Sequence, residues 1–244
     1  MSTDSTHFGK STIPRNEKSE KIKALFDDVA QNYDLMNDLM SFGLHRVWKY
    51  ITVRYLPLSN AQHVLDIASG SGDITEQMHS LNPDAQYTCL DPSTEMLLMA
   101  RKKLQIKKIN FVQSFCEDLP FSPKSFDLIT IGFGFRNFTN QPDALRECLK
   151  VLKPGGTLAI LEFSQSKSGL FNSLYQPYAQ HVIPFIGGLI ANNKDAYKYL
   201  SESIEVHPPA SQVIHMLSQA GFVNTDEHSF MTGLVRCHIA QRPS

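Results

Sequence analysis

Cysteine is scarce in this chain: four in 244 residues, at 89, 116, 148 and 237, with no CxxC pair among them. That spacing excludes a disulfide framework and a zinc ribbon, and a reducing cytoplasmic setting is expected. A surplus of charge is missing as well. With 23 Lys and Arg against 24 Asp and Glu, the chain lacks the basic field that neutralises phosphates, so no nucleic-acid partner is expected. No apolar run approaches the ~20 residues that span a bilayer. The longest, 182–191, is broken by Pro184, Gly187 and Gly188, and the polar N-terminus offers no signal-peptide apolar segment. The histidines fall without metal-ligand spacing, and no metal is expected. Repeats are absent, and the Ser- and Thr-rich opening to about Asn16 reads as a disordered tail. What is present is a chain 42% apolar and long enough to bury a sizeable core.

An α/β rhythm runs through most of it. Apolar stretches at 64–67, 87–90, 110–113, 126–133 and 157–163 alternate with segments of helical spacing at 74–81, 94–104 and 143–152. Strands joined through helices lie parallel, so the pattern predicts an α/β fold with a doubly wound, mostly parallel sheet. Two further stretches, 222–228 and 233–240, follow a helix at 210–220, bring the strands to seven and are expected to close the sheet as a hairpin. Ahead of the sheet, Ile22, Leu25, Phe26, Val29 and Tyr33 fall on one helical face, and a helix over 45–55 is expected to turn Val47, Trp48 and Ile51 inward. Lys153-Pro154-Gly155-Gly156 reads as a helix stop and turn. The segment 169–205 breaks the alternation with aromatic, Pro and Gly residues and reads as a helical cap insertion, so 17–244 are expected to form one domain.

Chemistry gathers at the strand ends. The first strand enters a glycine loop, Gly70-Ser71-Gly72, with Asp66 before it and Asp73 after it, and the second strand ends at Asp91. In doubly wound sheets ligands sit outside the carboxyl ends of the strands, where an acid some twenty residues on holds a ribose. A dinucleotide's pyrophosphate needs backbone donors without competing anions and a third glycine, where this chain has Thr75. No Gly-Lys-Ser/Thr follows for a triphosphate. The acids suit instead the ammonium and sulfonium cations of S-adenosylmethionine (AdoMet), and the sheet is expected to be of the AdoMet methyltransferase type.

Longer motifs narrow the reading. The run from Tyr33-Asp34-Leu35-Met36-Asn37 through Ser41-Phe42-Gly43-Leu44-His45 to Trp48-Lys49, and Phe133-Gly134-Phe135-Arg136-Asn137 with Val151 to Gly156, resemble the two signatures of the UbiE-type ubiquinone/menaquinone biosynthesis C-methyltransferases. Leu161-Glu162-Phe163-Ser164, His181-Val182-Ile183-Pro184, Tyr197-Lys198-Tyr199-Leu200 and Thr6-His7-Phe8-Gly9 are similar to further family segments, so the resemblance covers almost the whole chain. It implies AdoMet-dependent methylation of a ring carbon of a polyprenyl benzoquinol or demethylmenaquinol. It also implies cofactor contacts at Ser71, Asp91, Phe115, Cys116 and Gly132. The chain departs from the family pattern at Ser69, Ser71, Phe115 and Gly132, where glycine, threonine, asparagine and serine are common. Phe115 gives up one hydrogen bond, worth about 1 kcal/mol. The departures leave open a methyltransferase paralogue with another small-molecule acceptor, or a non-catalytic partner of the quinone pathway.

Methylation at carbon needs an electron-rich ring, which a quinol becomes when a hydroxyl ionises. Arg136 and Asn137, after the fourth strand, are expected to bind the developing phenolate, and Tyr33 is expected on a segment that closes over the cofactor. Phe171, Tyr175, Tyr178, Val182, Phe185, Ile186, Leu189 and Ile190 are candidates, as a group, for receiving the isoprenoid tail. Peripheral contact with the membrane's inner face, or with quinone-biosynthesis proteins, would follow.

Overall fold

The computed structural model describes residues 5–105, 108–164 and 194–244. At the N-terminus β1 (Ser5–Phe8) and β2 (Ser11–Pro14) pair antiparallel. From Ser5 on, the segment expected to be a disordered tail is thus a hairpin that runs into α1 (Arg15–Val29). Composition hides what orders it: Phe8 stacks on Tyr199 with centroids 4.3 Å apart, and the Lys10 amide donates to Glu202. A 3₁₀ turn separates α1 from α2 (Tyr33–Ser41), so Tyr33 opens a second helix instead of ending the first. In α3 (Leu44–Tyr55) Trp48, Lys49, Thr52 and Val53 are buried, while Val47 is 49% exposed, contrary to the inward position expected for it. The helix is rotated because Lys49 turns in to meet Asp73 at 2.7 Å, and a buried lysine is tolerable only when paired.

From β3 (His63–Ile67) the chain alternates: α4 (Asp73–Leu81), β4 (Gln86–Asp91), α5 (Thr94–Leu104), β5 (Ile109–Gln113), β6 (Phe126–Gly132), α6 (Gln141–Val151) and β7 (Leu152–Phe163). Local chemistry starts the helices. The Ser93 hydroxyl accepts the Met96 amide to cap α5, and Asn140 caps α6 through Asp143 with Pro142 in the first turn. After α7 (Lys194–Glu205) and α8 (Ala210–Ala220), β8 (Val223–Phe230) and β9 (Val235–Gln241) complete a sheet ordered β5-β4-β3-β6-β7-β9-β8. β3 to β7 are parallel; β9 joins β7 antiparallel and β8 pairs β9 at the edge. This is the seven-stranded sheet the alternation predicts. Lys153–Gly156 lies within β7, looped out where the register shifts between Phe126 and Leu128, and Gly155 and Gly156 pair with Arg242.

Both faces of the sheet's centre are covered, so β3, β6 and the second half of β7 are largely apolar, while the edge strand β8 is polar and exposed. Leu65, Ile67, Ile129 and Leu158 pack against Leu145 of α6 and Leu217 of α8. The alternate residues Val64, Leu128 and Ala159 face Val53 of α3 and Met78 of α4. Position 66 therefore points to the α4 side of the sheet.

Candidate active site

The chain builds β3, β4 and β5 in one direction, then returns past β3 to lay down β6 and β7. Above that reversal the carboxyl ends diverge and leave a crevice, the standard ligand position of a doubly wound sheet. It holds a cavity with about 620 Å³ of empty space, the open solvent at its mouth included. Two non-glycine residues at its floor have left-handed backbones, Ala68 after β3 (φ 52°) and Phe133 after β6 (φ 57°). Such conformations cost roughly 1–3 kcal/mol each and gather at functional sites.

Seven of the residues picked out from the sequence meet on the cavity wall: Tyr33, Gly70, Asp91, Phe115, Cys116, Gly132 and Asn137. Gly70 is required there, since its φ is +54° and a Cβ would stand 3.3 Å from Cε1 of Tyr33. Asp91 is buried and accepts the amides of Gly70 at 3.0 Å and Ser93 at 2.9 Å. Burial outweighs those bonds and pushes its carboxyl up to about 6, so it is ionised at neutral pH. Burial also raises the Tyr33 phenol to about 12, despite a hydrogen bond with Asn37, so Tyr33 is a proton donor in hydrogen bonds and not a base. The Cys116 thiol lies 3.8 Å from Cys148 Sγ and is pushed well up by burial, which leaves it inert.

Five others lie off the wall, and two of them are acids bonded to other side chains of the fold. Asp66 accepts the hydroxyls of Thr75 at 2.7 Å and Thr130 at 2.8 Å, tying β3 to α4 and β6 beneath the loop. Asp73 is bound by Lys49 and Lys103; burial opposes the shift, yet the two lysines hold its carboxyl below the usual range. Its charge is thus spent on a lysine clamp, and Asp91 is the acid of the three that faces the cavity. Ser71 Oγ donates to Asp34 at 3.0 Å, and Gly72, at φ 84°, sets the start of α4. Arg136 is the last. Its Nη1 reaches Glu162 at 2.6 Å and the Phe133 carbonyl at 2.6 Å, and its Nε donates to Ser203 at 3.2 Å, so the guanidinium sits behind the wall in a buried ion pair. Next to it Asn137 accepts the Tyr199 hydroxyl at 2.9 Å.

Glu162, Tyr199, Ser203, Lys49 and Lys103 were given no role from the sequence. Glu162 had a signal, because it ends the apolar run 157–161 at the same sheet edge as Asp91 ends its own. The candidates from Phe171 to Ile190 lie outside the described residues. Among the described residues no group of three His, Cys, Asp or Glu is placed to hold a metal ion, and no helix is long and apolar enough to cross a membrane.

The model of the ubiE/COQ5 methyltransferase family matches residues 15–242. The chain belongs to this family. Among ubiE/COQ5 relatives, the ubiquinone/menaquinone biosynthesis C-methyltransferase UbiE of Pseudomonas paraeruginosa is 41% identical over 98% of this chain and 95% of its own. The protein of the same name from Escherichia coli O1:K1 is 42% identical over 97% and 96%. Solved structures share the fold at lower identity. A chain of the Haloferax volcanii complex between the Trm112 methyltransferase activator and a methyltransferase superposes with a TM-score of 0.68 at 17% identity, over 90% of this chain and 98% of that one. Human N-acetylserotonin methyltransferase in complex with SAM gives 0.59 at 18% identity, over 87% and 58%.

Proposed function

We propose that this ubiE/COQ5 family protein transfers the methyl group of AdoMet to a ring carbon of a polyprenyl quinol, a benzoquinol or demethylmenaquinol of ubiquinone/menaquinone biosynthesis. The observation that carries the reading is one cavity, at the sheet's switch point, with an ionised Asp91 on one wall and hydrogen-bond donors Tyr33 and Asn137 on the same lining. AdoMet, when bound, supplies an electrophilic methyl on a sulfonium. Asp91 suits the ribose hydroxyls and opposes the cationic charge, while Phe115 and Cys116 pack the adenine.

The remaining work is to make the ring carbon nucleophilic. Ionising a phenol of pKa near ~10 at neutral pH costs about 4 kcal/mol. A charge-assisted hydrogen bond returns roughly 1.5–3 kcal/mol, so two donors are needed. Asn137 and Tyr33 are the two. Arg136 takes a different part from direct contact: with its charge matched by Glu162, it holds the 133–137 turn on which Asn137 rides. Clamped in this way, the guanidinium spends its hydrogen bonds on Glu162, the Phe133 carbonyl and Ser203.

A cytoplasmic setting with contact at the membrane surface belongs to the same reading. The test is incubation of the purified protein with AdoMet and a short-tailed demethylmenaquinol under reducing conditions, with mass fragmentation of the product. A methyl on ring carbon supports the proposal. Methylation at hydroxyl oxygen moves the protein to another reaction class, and AdoMet binding without turnover leaves only a non-catalytic partner.

A further inference from the structure

An asparagine amide can present either its oxygen or its NH₂ to a ligand, since the two orientations have nearly the same shape and packing scarcely distinguishes them. At Asn137 the choice decides function, because an anionic oxygen needs the NH₂. We propose that Tyr199 is a positioning residue that fixes the Asn137 amide with Nδ2 toward the acceptor's oxygen. The proposal rests on the reading of Asn137 as the group that meets that oxygen.

The geometry carries it. Tyr199 projects from α7, and its hydroxyl meets Asn137 Oδ1 at 2.9 Å in a buried contact. With Oδ1 occupied on the α7 side, the remaining hydrogen-bonding end of the amide is the one left for the cavity that Asn137 lines. The phenol is a dependable donor. Burial and the nearby Glu162 carboxylate keep it protonated, against the opposing charge of Arg136. A flipped amide would use its NH₂ on the tyrosine oxygen and offer a carbonyl to the phenolate, which is repulsive.

Tyr199 is itself held in place from outside the sheet. Phe8 of the N-terminal hairpin stacks on its ring at 4.3 Å and 29°. The Lys10 amide grips Glu202 of the same helix at 3.1 Å, and Ser203 accepts from Arg136 at 3.2 Å while donating to the Leu200 carbonyl. The hairpin therefore reaches the reaction centre in two contacts, Phe8 to Tyr199 and Tyr199 to Asn137.

Tyr199→Phe keeps the ring and its stack and deletes only the hydroxyl. In the full chain it should lower kcat for quinol methylation at least tenfold, with the AdoMet Kd by calorimetry and the melting temperature close to wild type. Because the lost function is stabilisation of the ionised acceptor, its pH–rate profile should move about one unit alkaline. Adding Asn137→Ala to Tyr199→Phe should cost no more than Asn137→Ala alone, since the two side chains act as one unit. Wild-type kcat with an unmoved profile, additive effects, or a joint fall in stability and AdoMet binding would each overturn the positioning role. If wild type itself fails to methylate the quinol, the parent reading falls and takes this proposal with it. An active wild type with an unaffected Tyr199→Phe defeats the proposal alone.

Discussion

At the scale of single residues, three aspartates that look alike in the sequence have three fates. Asp66 lies inside β3, Asp73 opens α4 just after the glycine loop, and Asp91 ends β4. Asp73 is paired with two lysines, Asp66 accepts two threonine hydroxyls, and Asp91 keeps its face to the cavity. Position along the chain reveals that an acid stands at a strand end; it does not reveal which lysine folds over it, and Lys49 comes from a helix 24 residues upstream. Asp91 is pushed up to about 6 by burial, so its carboxyl takes a proton as pH falls through that value. AdoMet affinity should be level above pH 7 and weaken below 6, approaching tenfold per unit as expected for one linked proton. Calorimetry at pH 5, 6 and 7.5 reads this, and Asp91→Asn should bind weakly with a flat profile; a parallel pH trend in the variant would assign the effect elsewhere. At Gly132 an added Cβ would collide with Cδ1 of Ile74, the far end of that side chain. Gly132→Ser should therefore cost about 0.5–1.5 kcal/mol, as the Ile74 side chain is turned off its rotamer. Gly132→Ser with Ile74→Val should recover most of it in thermal unfolding, and no recovery would show that the crowding lies in other atoms.

At the scale of elements, the parallel core was legible because βα alternation, apolar strands and capping residues all point the same way. The first hairpin was not, since Ser5–Phe8 and Ser11–Pro14 are polar and are ordered by α7, whose sequence lies far away. The same non-locality hid the joint between the end of β6, β7 and α7. There Glu162 accepts Arg136 Nη1, the Arg136 amide and the Phe163 amide, so one carboxylate fastens the 133–137 turn to β7 while Ser203 links it to α7. Both members of the pair are almost fully buried. Removing one leaves a bare charge in the interior, whereas removing both restores neutrality. Arg136→Met should lower the unfolding free energy by about 3–5 kcal/mol, and Arg136→Met with Glu162→Leu should regain much of that loss while staying poorly active. Urea denaturation measures the cycle. If the double variant proves as unstable as the sum of the singles, the pair is not what joins these elements.

At the scale of the molecule, near-neutral net charge conceals two opposed sets of buried titrating groups. Burial lowers His45, His207 and His238, the last to about 4 with help from Arg236 and His207. An unfolded histidine titrates near ~6.5. Below the unfolded value the unfolded chain binds protons that the fold refuses, so these groups make stability decline as the solution is acidified, for His238 down to about pH 4. Asp66 and Asp91 act in the other direction. Their folded values of about 6 lie above the ordinary 3.8, so their contribution is complete below about pH 4 and is lost as pH rises through 6. The slopes partly cancel, and stability should change less between pH 5 and 7 than either set alone would dictate. Deleting one histidine breaks the balance in a known direction. With a folded value of about 4, His238 is responsible for a loss of about 2 kcal/mol between pH 7.5 and 5. His238→Gln should therefore lose about that much less than wild type when urea unfolding is compared at the two pH values. Equal losses in the two proteins would mean that His238 already carries its proton in the folded state, near Glu227 at 4.0 Å, and that acid sensitivity resides in the other two imidazoles.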